Sequence, residues 1–130
     1  MSGNYMEKYT IGIDFGSLSA RAVLMRVSDG VVIASRVYSY PNKILCDCLP
    51  DGTRLNNFWA LQVPADYQEA FRSLIPPILL EADIRAEQVI GLGIDATSCT
   101  ILPTTMDGTP LCELAEYCKF RIMSTTCTEI

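Results

Sequence analysis

The sequence contains no histidine. That removes the commonest general base, the serine–histidine type of catalytic triad and any histidine-ligated metal site. Tryptophan occurs once, at Trp59. No stretch approaches the roughly 18 consecutive apolar residues that a membrane span needs. Met1 to Lys8 carry no apolar signal segment, so the reading is a cytoplasmic chain with no membrane partner. There is no G-x-G-x-x-G fingerprint and no Walker A sequence, which excludes a Rossmann dinucleotide site and a P-loop kinase. The six cysteines form no CxxC pair and no zinc spacing. They read as free thiols of a reducing compartment. Basic residues are also short: 10 against 15 acidic ones, a net charge of −5. The footprint of a nucleic-acid binder is usually basic, so no nucleic-acid partner is expected.

What is present is apolar. Hydrophobic residues make up 49% of the 130 positions and charged ones 19%, enough for one modest domain with a core. Tyr9 to Phe15 alternate, with Tyr9, Ile11, Ile13 and Phe15 on one face and Thr10, Gly12 and Asp14 on the other. A second strand is read from Ala20 to Val27 and a third from Val31 to Tyr40. Ser28-Asp29-Gly30 makes the turn between them. The three strands form an antiparallel meander.

Pro41 to Val63 reads as a long loop with turn residues throughout, a length that is often functional. A helix is predicted from about Ala65 to Ala82, on the stripe Tyr67, Ala70, Phe71, Leu74 and Ile78. Pro76-Pro77 falls inside it and predicts a kink or a split. Val89 to Ile94 is a continuous apolar run, read as a central strand buried on both faces and parallel to its neighbour. A further strand follows at about Cys99 to Thr104, then a turn at Asp107-Gly108. The order β-β-β-α-β-β with a helical crossover fits an α/β sheet.

Two carboxylates, Asp14 and Asp95, end strands predicted to be neighbours. In open α/β sheets that edge is where ligands bind. Asp14 opens a tip with Gly16, Ser17, Ser19 and Arg21. Such a tip can hold magnesium and wrap hydroxyls and N–H groups around phosphate oxygens, which points to phosphoryl transfer. Blander roles stand beside these. Asp14 can cap its own turn, Asp95 can form an Asx-turn with Thr97 or Ser98, and Ser17 and Ser19 can be ordinary turn residues. Arg21 can be an exposed strand residue and Trp59 a loop anchor instead of a sugar-stacking ring.

Ile11-Gly12-Ile13-Asp14-Phe15-Gly16-Ser17, continued by Arg21-Ala22, resembles the phosphate-1 segment of the FGGY carbohydrate kinases, within the actin-like ATPase superfamily of ribonuclease H-like fold. Phe58 to Gln62, Pro64 to Tyr67, Val89 to Thr100 and Asp107 to Cys112 are similar to the same family. The resemblance covers residues 9–117 and implies the first half of an N-terminal kinase domain, preceded by a tail at 1–8. It implies ATP and Mg2+ as cofactors and L-ribulose or a related ketopentose as acceptor, in arabinose catabolism. By position, Asp14 would hold magnesium. Gly16, Ser17, Ser19 and Arg21 would line the ATP phosphates. Asp95, Thr97 and Ser98 would face the sugar. No catalytic residue is carried over, because the family's catalytic aspartate and adenosine pocket lie further along longer chains. The expectation is therefore that this chain alone is inactive. Residues 118–130 diverge from the family and read as an irregular tail, as a frameshift or truncated gene product would give. The alternative functions are a metal-dependent nuclease of the ribonuclease H-like group and a non-catalytic fragment.

Overall fold

The computed structural model describes residues 6–49, 52–98, 100–117 and 124–126. Its main sheet has four strands: β1 (Tyr9–Phe15), β2 (Ser19–Arg26), β3 (Val32–Ser39) and β5 (Val89–Ala96). Their spatial order is β3-β2-β1-β5. β1 pairs antiparallel with β2 and parallel with β5, so the sheet is mixed. The first three strands form the expected meander. Gly30 has φ 72° in the β2–β3 turn, a left-handed conformation that glycine adopts without steric cost.

Helix α1 (Pro64–Glu81) packs across β2 and β3. Ala70, Leu74 and Ile78 interlock with Ile11, Ile13, Phe15, Ala20, Ala22 and Leu24, and all of these are buried. The period of 2 in the strands and of 3.6 in the helix bring these side chains to one interface. Phe15 stacks on Tyr67, with ring centroids 5.3 Å apart, and touches Phe71 at 5.1 Å. Pro64 takes the first helical position, where its missing N–H costs nothing.

Three expectations are corrected. The split expected at Pro76-Pro77 is absent, and one helix runs through both prolines. Pro76 and Arg72 lie on the exposed face, where water can satisfy a carbonyl freed by proline, and burial of Leu74 and Ile78 holds the turns on either side. The run Val89 to Ile94 is not a central strand buried on both faces. β5 is the outermost strand among the described residues, and every residue from Ile90 to Ala96 is exposed. Finally, the long loop is not structureless. Leu45 and Leu61 exchange backbone hydrogen bonds of 2.8 and 3.0 Å. β4 (Leu61–Gln62) then precedes the helix and joins a second small sheet of order β4-β7-β6, with β6 at Thr100–Ile101 and β7 at Ser124–Thr126.

The strand expected over Cys99 to Thr104 is thus two residues long, and Cys99 lies outside the described residues. Of the segment 118–130, only Ser124–Thr126 is described, as strand β7; the irregular tail expected elsewhere in it lies outside the described residues. Cys46 and Cys48 are exposed, unbridged thiols. Among the described residues, no helix is long and apolar enough to cross a membrane.

Candidate functional site

The β1–β5 register sets Asp14 level with Asp95, and the β1–β2 register sets Arg21 opposite Asp14. Side chains at paired positions share a face, so Arg21, Asp14 and Asp95 form one row across three strands. All three are exposed. The row lies on the face opposite α1, since the alternate residues Ile13, Phe15, Ala20 and Ala22 fill the core. Two carboxylates side by side repel unless a cation joins them. Their hard oxygen donors suit Mg2+, with Arg21 adjoining as a fixed positive charge.

Beneath this row the sheet is bare. Gly12 pairs with Gly93, so backbone forms the floor of a groove of 360 Å³ lined by Gly12, Asp14, Arg21, Val23, Gly93 and Asp95 among others. A Cβ at Gly93 would meet nothing within 4 Å, whereas one at Gly12 would approach Val23 Cγ2 at 3.3 Å. The glycines thus let a ligand approach the main chain closely.

The turn from β1 to β2 is fixed from three sides. The Gly16 N–H donates to the Ser19 carbonyl at 3.0 Å. The Leu18 carbonyl accepts from the Tyr40 N–H at 2.9 Å. The Ser17 carbonyl accepts from Gln62 Nε2 at 2.8 Å. Gln62 is 1% exposed, and its Oε1 in turn accepts from the Tyr67 hydroxyl. Side-chain burial of an amide is costly without partners, and Gln62 has them at both ends. Ser17 and Ser19 are half-buried in this turn, directly after Asp14.

The loop after β5 is tied to the same end of β1. Both the N–H and the Oγ1 of Thr97 donate to the Phe15 carbonyl, at 3.0 and 2.9 Å. Asp95 Oδ1 accepts from the Ala96 N–H at 2.9 Å, not from Thr97 or Ser98. Ser98 follows, exposed. The structure therefore brings Asp14, Gly16, Ser17, Ser19, Arg21, Asp95, Thr97 and Ser98 to one edge of the sheet. Trp59 is half-exposed in the loop before β4, next to Phe58, which is fully exposed at φ 70°.

Behind the turn, Tyr40 is 2% exposed, and burial pushes its hydroxyl well above the usual tyrosine range. Nearby Tyr67, Asp14 and Asp66 act in the same direction. Asp66, buried in the first turn of α1, accepts from the Asn42 side chain at 2.7 Å and from its N–H at 3.3 Å. This closes the chain after β3 onto the helix. Gln62, Tyr40 and the glycine floor were not singled out as site residues from sequence. The available signal was Gln62 itself, a polar residue between Leu61 and Val63 at the mouth of an amphipathic helix.

No protein-family model matches the chain. Curated relatives do. The chain is 48% identical over 108 residues to a ribulokinase from Shouchella clausii, a match covering 82% of this chain and 19% of that protein. It is 46% identical over 112 residues to a ribulokinase from Mycolicibacterium smegmatis, covering 85% and 20%. Over most of its length this chain is a homologue of the ribulokinases. It spans about a fifth of the length of the curated relatives it matches. Among solved structures, a gluconate kinase from Lactobacillus acidophilus shares the fold, with a TM-score of 0.62 and 17% identity over 92% of this chain and 19% of its own. Ribulokinase homology and a sugar-kinase fold do not support the nuclease alternative. Among the described residues, no third ligating side chain joins Asp14 and Asp95 in a metal-holding cluster.

Proposed function

We propose that this chain is the nucleotide-side portion of an ATP-dependent ribulokinase, whose whole form transfers the γ-phosphoryl group of MgATP to a hydroxyl of L-ribulose. The observation that carries the reading is the exposed row Arg21–Asp14–Asp95 at the strand ends, in a chain with 48% identity to a ribulokinase. Asp14 and Asp95 supply oxygen donors for Mg2+, which would neutralise phosphate charge when bound. The turn Gly16–Ser19 offers hydroxyls and backbone to the phosphates, held in shape by Gln62 and Tyr40. Thr97 and Ser98 occupy the sugar side, with Thr97 locking its loop to β1. The reading extends to arabinose catabolism in the cytoplasm and to the first half of an N-terminal kinase domain.

No residue here is assigned the proton-accepting role, so the chain alone is expected to bind without turning over. Calorimetry with MgATP, then L-ribulose, tests this. Binding of either by the folded chain, weakened by Asp14→Asn, supports the reading. Absence of any heat with a folded chain leaves a fragment with ancestry but no site.

A further inference from the structure

The segment before β4 carries two cysteines, Cys46 and Cys48, both exposed and unbridged. Together with Asp47, Arg54, Leu55 and Asn57 they line a cleft of 440 Å³, a volume within the range of small-molecule sites. It shares no lining residue with the groove beside Asp14. Backbone hydrogen bonds fix its walls. The Leu55 N–H donates to the Asp47 carbonyl and the Leu49 N–H to the Thr53 carbonyl, each at 2.9 Å. Cys48 thereby pairs antiparallel with Arg54. Side chains at paired positions share a face, so a guanidinium stands beside a thiol. Among the described residues, Arg54 has no ion-pair partner. The chain bends at Cys46 and Asp47. Two residues of straight extended chain span about 6.6–7.2 Å, around the limit of about 6.8 Å for Cα atoms joined by a disulfide. A bend shortens that span and lets the two thiols meet.

We propose that Cys46 and Cys48 form a thiol–disulfide exchange site for small disulfides that carry carboxylates, with Arg54 receiving a carboxylate of the incoming molecule. The Cys48 sulfur gives up its proton and attacks one sulfur of the small disulfide. That S–S bond breaks, a mixed disulfide forms on Cys48, and one small thiolate leaves and takes up the proton. The Cys46 sulfur then attacks the Cys48 sulfur and expels the second small thiolate, which takes the Cys46 proton. The cysteine pair is oxidised by two electrons, and the small disulfide is reduced to two thiols. Asp47, in the same cleft, carries the opposing charge. The site is independent of the sugar-kinase reading, since it uses none of the residues assigned to phosphate or sugar.

Oxidised glutathione is the probe, added to the full chain, with intact mass and peptide mapping as the readout. The expected product is lighter by two hydrogen atoms, with the bridge mapped to Cys46 and Cys48 and no glutathione retained on either. Cys46→Ser should stop at the mixed disulfide on Cys48. Arg54→Gln should slow the exchange about twofold to fivefold, the scale of one exposed ion pair. Asp47→Asn should quicken it. Neither should change the rate with the neutral hydroxyethyl disulfide. Circular dichroism checks that each variant folds, and the product from the unaltered chain decides the bridge without any variant. The inference is overturned by the absence of a Cys46–Cys48 bridge, by glutathione retained on Cys48 of the unaltered chain, or by a bridge from either cysteine to another thiol. An Arg54→Gln rate that is unchanged with glutathione, or lowered equally with both disulfides, overturns the role given to Arg54 and the preference for carboxylates.

Discussion

Gln62 joins the Ser17 carbonyl to the Tyr67 hydroxyl, through one buried side-chain amide. The turn that follows Asp14 is thereby fastened to the first turns of α1, and its shape depends on a residue about forty-five positions away in sequence. Replacing Gln62 with Leu leaves a carbonyl and a hydroxyl without their partner. The expected loss is about 1–3 kcal/mol in urea unfolding, larger than for Tyr67→Phe at about 1 kcal/mol. Equal losses from the two substitutions would mean that the Ser17 end of the bridge contributes nothing.

Tyr40 gives a pH prediction. Its hydroxyl is buried and finds no hydrogen-bond partner among the described residues. Its folded pKa is raised, by burial first. The stability tied to the neutral phenol is thus fully present below the unfolded tyrosine pKa of about 10 and is lost as pH rises above it. Tyr40→Phe should flatten the fall in stability above about pH 10 and be neutral or stabilising at pH 7. Tyr67, also raised by burial, supplies a remaining slope. An unchanged alkaline slope in Tyr40→Phe would contradict this.

Asp83 caps the C-terminus of α1 at φ 55°, and the Ile84 N–H reaches back to the Leu79 carbonyl at 3.0 Å. That is the closure in which glycine is usual. Asp83→Gly should raise stability by about 1 kcal/mol, and Asp83→Val should lower it by at least as much. Thermal unfolding of both variants decides the matter.

Gly16 and Gly93 are expected to behave differently as alanines. At Gly16 an added Cβ would sit 3.1 Å from the Ser19 carbonyl, so the turn must shift. At Gly93 the Cβ meets nothing and projects from the groove floor. Gly93→Ala should keep its melting temperature while weakening MgATP or sugar binding. Gly16→Ala should lose stability as well. A destabilised Gly93→Ala would show that the floor is not open.

Leu74 is 1% exposed at the centre of the helix–sheet contact, and Leu74→Ala should cost about 2–5 kcal/mol. Chemical denaturation measures it directly.

β1, β2, β3 and α1 were legible in the sequence because their periods are strong and local. Asp14 and Asp95 were legible as strand-end carboxylates, and their adjacency followed from the parallel pairing expected for the second strand. The two-residue strand Leu61–Gln62 was not legible. Its partners, Leu45 and Thr125, are distant in sequence, and neither carries a turn signal that points to it. The apolar run of β5 was misread because composition reports a preference for burial, while burial itself depends on which neighbours arrive. The split expected at Pro76-Pro77 was misread for the opposite reason: a local rule was outweighed by tertiary packing.

The pairing of β1 with β5 is not regular along its length. Tyr9 lies opposite Val89, but Thr10 lies opposite Gly91, and Thr10 Oγ1 donates to the Gly91 carbonyl at 3.1 Å. Ile90 is the unmatched residue. Were the ladder to run evenly from Tyr9, Asp14 would meet Ile94 and Asp95 would fall level with Phe15. One surplus residue at the far end of the strand thus works as a vernier, advancing the ladder by a single notch so that both acids come into line.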